Sequence, residues 1–172
     1  MLQHATTDTI PITSVADEID PHDAEAPVVR EGYAYWLSKR GTRAFPQRTD
    51  INPAQIKKIL PNIILAKVLD DGEDFAFRIV GEAVATAHGF NPINWRVSDL
   101  DRHAPGFSAI VKRVYRKIYD TNAPYASRGT LRHIDRSYRM FESLFLPLGP
   151  ANGPVDHVMV VADFSSERRL DA

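Results

Sequence analysis

Apolar side chains recur along this chain with two periods, and the places where one gives way to the other mark its elements. From Asp74 the run DFAFRIV alternates, Phe75, Phe77 and Ile79 against Ala76, Arg78 and Val80, which is the two-residue period of a strand packed on one face. Gly81 breaks the run. EAVATAHG then reads as a short helix with Ala83, Val84 and Ala87 on one side and Gly89 as its stop. Residues 63–69 form a strand with Ile64, Ala66 and Val68 on its cleaner apolar face, and DDGED turns it into the next, making a hairpin. Phe107, Ile110, Val111, Val114, Tyr115 and Ile118 follow the helical series opposite Lys112, Arg113, Arg116 and Lys117, predicting a helix over 107–122 that Pro124 keeps stopped. Three more strands are predicted at 125–133, 138–146 and 155–163, joined by IDRS and PLGPANGP.

Upstream, residues 1–22 carry no sustained apolar period and read as a flexible arm. Over residues 23–40, Val29, Tyr33, Trp36 and Leu37 fall at helical spacing despite Gly32, and Gly41 follows basic Lys39 and Arg40. That stripe suits packing against its own domain or a seam between two copies, and homodimerisation through these four residues is the specific expectation. Asn52 and Pro53 open a short helix carrying Ile56, Ile59 and Leu60, which Pro61 ends. After Gly89 the turn-rich segment around Trp95, Val97 and Leu100 is expected to pack inward and line a cavity. The order predicts an α+β fold: a five-stranded antiparallel sheet with helices on one face. An N-terminal helical extension (23–60) precedes the main domain (61–165), and residues 166–172 form a tail.

Composition narrows the chemistry. The 172 residues suit one domain, and no apolar run reaches the roughly 18 residues of a membrane span. The N-terminus lacks a secretory signal, so a cytoplasmic location is expected. The absence of cysteine removes disulfides, cysteine-ligated metals, thiol nucleophiles and cysteinyl-flavin photochemistry. Net charge is -1 with a pI near 6.6, which weighs against nucleic-acid binding despite the arginines and lysines of residues 112–139. No nucleophile elbow, HExxH or phosphate-binding glycine loop occurs.

The phrases YWLSKRGTRAFPQRTDINPAQIKKILPNIILAKV, DFAFRIVGEAVATAHGFN and FESLFLPL, with the element order above, resemble the PAS domain, and within it a bacterial subfamily of single PAS-like proteins frequent in alphaproteobacteria. The resemblance covers about residues 30–163. It implies a sensory or signalling module that binds a small molecule, a partner protein, or both, without an output domain or catalysis of its own. Haem sensors of this fold often use a histidine on the long helix, which has none here, so haem is not expected. His88 and His103 read as polar structural residues, and no metal site is expected.

The implied pocket lies between the sheet and residues 82–119, with Phe77, His88, Phe90, Trp95, Val111 and Tyr115 as walls. Met140 and Glu142 join it if their face of the 138–146 strand points inward, with Arg78 or Arg128 as partner to the carboxylate. The other register puts Phe141 and Phe145 inward and Glu142 in water. An enzyme would need Glu142 as base with His88, His133 or Tyr115 as proton donor.

Overall fold

The computed structural model describes residues 16–131 and 136–164. Strands β1 (Ala16–Ile19), β2 (Ile63–Leu69), β3 (Asp74–Val80), β4 (Tyr125–Leu131), β5 (Arg136–Leu148) and β6 (His157–Asp163) form one sheet in the order β1-β4-β5-β6-β2-β3. Every pairing is antiparallel. Helices α2 (Glu82–His88) and α3 (Phe107–Thr121) follow the β2–β3 hairpin, as the change of period predicts. Gly89 ends α2 with φ 84°, a left-handed conformation that costs glycine little.

Two features depart from the sequence reading. The sheet has six strands, because β1 lies inside the stretch expected to be a flexible arm and pairs along the edge of β4, Ala16 opposite Gly129 and Ile19 opposite Ala126. Its side chains are mostly exposed, so it carries no apolar alternation. Backbone hydrogen bonds to an open edge hold it instead, and those leave no sequence signal. The helices also cover both faces. While α2 and α3 lie over one, α1 (Pro27–Arg40) packs on the other, where Trp36 is fully buried and donates from Nε1 to the Pro147 carbonyl at 3.0 Å.

Pro27 starts α1 with its fixed φ, and Lys39 and Arg40 close it where cations suit the helix dipole. Gly32, the apparent flaw in the middle, lets the helix touch the sheet: a Cβ there would sit 2.6 Å from Val161 Cγ2. The short helix expected before β2 is instead a pair of single turns at Pro53–Gln55 and Leu60–Asn62; Asn52 caps the first, accepting from the Ala54 N–H at 3.0 Å. No described helix is long and apolar enough to cross a membrane.

Candidate ligand cavity

Alternation along the strands sorts their side chains between the two faces. In β5, Phe141, Ser143 and Phe145 turn toward α2 and α3, while Glu142, Leu144 and Leu146 turn toward α1. In β6, Val160 and Ala162 take the first face and Val161 the second. The first set, with Ile64 and Phe77, floors a cavity of about 170 Å³. Val84 and His88 of α2, Phe90, Leu100 and the inner side of α3 roof it, and Ala16 of β1 and Phe164 after β6 also line it.

The walls mix aliphatic and aromatic side chains, and the rings cluster. The Tyr115 ring meets Phe75, Phe77 and Phe145 with centroids 5.1, 6.5 and 5.7 Å away, the last two edge to face. Phe90 stacks on Trp95 at 5.8 Å and lies 4.1 Å from the His103 ring. His88 packs among Phe90, Phe107 and Phe164, with centroids 5.4 to 6.2 Å away. No Asp, Glu, Lys or Arg is among the described lining residues. Burial alone pushes the Tyr115 phenol far above its usual pKa, so its hydroxyl stays neutral at any physiological pH.

Of the pocket residues expected from sequence, Phe77, His88, Phe90, Val111 and Tyr115 line this cavity, and Trp95 stands one layer back, behind Phe90. Met140 and Glu142 do not line it. The register that was open from sequence is the one with Phe141 and Phe145 inward, since a one-residue step moves every side chain of a strand to the other face.

Glu142 does not reach water on that other face. It is 5% exposed, and its carboxylate accepts from the backbone N–H of Glu25 (3.0 and 3.1 Å) and Ala26 (2.9 Å). Arg128, opposite it on β4, donates from Nη2 at 2.7 Å and Nε at 3.1 Å, and from Nη2 also to the Asp23 carbonyl at 3.3 Å. The bond to Glu142 raises the Arg128 pKa above its usual value. This buried pair is a clasp that fixes the entry into α1. The acid–base constellation required of an enzyme is therefore not assembled: Glu142 lies on the face away from His88 and Tyr115, and His133 is outside the described residues.

The α1 stripe packs against its own sheet. Val29 and Trp36 are fully buried against their own sheet and offer no surface to a sister chain. Tyr33 and Leu37 are half-buried against the same core, Tyr33 stacked on Trp36 at 6.2 Å. The basic face of α3 is largely neutralised, Lys112 by Asp74 at 3.8 Å, Arg116 by Glu73 and Asp120 at 2.9 and 3.0 Å, and Lys117 by Glu18 at 2.9 Å. Among the described residues no cluster of three or more histidines and carboxylates could hold a metal ion.

Sequence reasoning missed Ala16, Tyr125, Ser127, Ser143 and Phe164 as lining residues. A signal for the serines existed: Ser127 and Ser143 share the inward parity of Tyr125, Phe141 and Phe145. Ala16 and Phe164 reach the cavity only through the sheet's topology.

A search of curated proteins finds no match. The profile of the PAS domain family matches residues 24–161, from just ahead of α1 to near the end of β6. With that match spanning most of the sequence, and with α2 and α3 packed over one face of an antiparallel sheet, the chain belongs to the PAS domain family.

Proposed function

We propose that this PAS domain is a sensory or signalling module that takes a small apolar molecule into the cavity and relays its occupancy to a partner protein by contact, with no chemistry of its own. The observation that carries the reading is the cavity itself. At about 170 Å³ it is slightly larger than the roughly 150 Å³ cavity that is known to admit benzene, and an apolar, poorly hydrated space of that kind binds apolar guests readily. Its lining includes Ala16 on the edge strand β1 and Phe164 directly after β6. A guest that changes how these two residues pack shifts the population of states presented at the surface, which is all that a relay needs.

Native mass spectrometry of freshly purified protein, beside its denatured mass, tests the reading. A reproducible extra mass lost on denaturation is the expected result. A protein that carries no guest and gains no thermal stability from small aromatic compounds would instead act as an interaction module with a closed core.

A further inference from the structure

Two of the polar side chains that line the cavity face each other across neighbouring strands. Ser127 on β4 and Ser143 on β5 are directly opposed in the strand register, and both line the cavity. They are 5% and 7% exposed, yet neither hydroxyl has a hydrogen-bond partner among the described residues. Neither hydroxyl oxygen is sealed inside the wall: both keep some access to the cavity, where a guest can reach them. Opposed residues of an antiparallel pair hold their Cβ atoms about 5 Å apart, close enough for two hydroxyls to converge on one atom.

Building on the proposed ligand cavity, we infer that Ser127 and Ser143 form the recognition pad for a neutral, mainly apolar, single-ring-sized molecule bearing a carbonyl group, and that both serine hydroxyls donate to its oxygen. A carbonyl oxygen has two lone pairs and no proton of its own, so it accepts from both serine hydroxyls at once. The lining offers no lysine or arginine to a carboxylate and no acid to an amine, so a charged guest would lose its hydration without a counter-ion. The volume limits the guest to about the size of one substituted ring.

Acetophenone and α-methylstyrene test this, because they share a shape and differ by an oxygen in place of a methylene. Their dissociation constants are measured by titration calorimetry on the full chain and on the Ser127→Ala/Ser143→Ala variant. The pad predicts that the double variant shifts the affinity ratio against the ketone by about tenfold, the worth of one to two hydrogen bonds, while α-methylstyrene binds as well as before or better. Retained α-methylstyrene binding also shows that the variant folds. Should it not fold, the single variants Ser127→Ala and Ser143→Ala carry the test, each with a shift of roughly threefold. If both compounds bind and the ratio does not move, the pad is overturned and the cavity reading stands. If neither binds the unaltered chain, the cavity reading fails and takes the inference with it.

Discussion

Replacing Glu142 by alanine is the perturbation that most sharply separates a structural clasp from an active-site acid. Four groups lose their acceptor at once: two backbone N–H groups at the entry to α1 and two nitrogens of Arg128. The backbone donors are partly buried, and each one left unsatisfied costs about 1 kcal/mol or more. The Arg128 side chain is 33% exposed and can be rehydrated, so its share is discounted from the value of a buried pair to about 1 kcal/mol. Glu142→Ala is thus expected to destabilise by about 3 kcal/mol, which for a chain of this length lowers the melting midpoint by roughly 6 to 12 °C. Urea unfolding followed by fluorescence and circular dichroism measures it. Arg128→Ala, read in a double-mutant cycle with Glu142→Ala, should show coupling of about 1 kcal/mol. Catalytic carboxylates are commonly held at a cost to stability, so a catalytic Glu142 would give a neutral or stabilising change, and that result would refute the clasp.

Three further substitutions probe the scaffold. Gly32→Ala gains about 1 kcal/mol of helix propensity but meets Val161, whose two methyls and Cβ all lie within 3.2 Å of the added carbon, so the helix or the strand must shift, and denaturant unfolding should show a net loss of about 1 to 2 kcal/mol. Trp36→Leu vacates a fully buried site and removes the bond to Pro147, and should cost about 3 kcal/mol in the same assay. Asp101 accepts from the Ser108 hydroxyl at 2.7 Å and the Ser108 N–H at 2.9 Å at the start of α3, and these bonds hold its pKa below the usual value. Its contribution is therefore complete above the unfolded value of about 3.9 and lost as pH falls through the lower folded value. Asp101 is exposed, so solvent screening keeps the effect small: Asp101→Asn should lower stability slightly at neutral pH, with the difference from the unaltered protein closing below about pH 4.

The changes of period in the sequence located the hairpin, α2 and α3 to within a residue, because Gly81 and Gly89 punctuate the strand-to-helix step and α3 keeps one strongly apolar face. Along β5 both faces are buried, with Phe141, Ser143 and Phe145 toward the cavity and Glu142, Leu144 and Leu146 toward α1. Alternation alone could not say which face was inward, and Glu142 was legible as polar but not as paired. β1 was illegible because backbone pairing holds it, and so its side chains were free to be polar. The α1 stripe was read correctly as apolar. What it packs against depended on Gly32, whose purpose appears only once Val161 lies beside it.

The central claim is that the cavity between the sheet and α2–α3 admits a small apolar guest that Ala16 of β1 and Phe164 after β6 can feel. An amide NMR titration of the isotopically labelled full chain with benzene tests it most directly. The account predicts saturable shifts at cavity residues such as Ser127, Ser143 and Phe145, with Ala16 and Phe164 moving in step and the melting midpoint rising. Shifts that never saturate, or that scatter over the surface and spare those five residues, would contradict it.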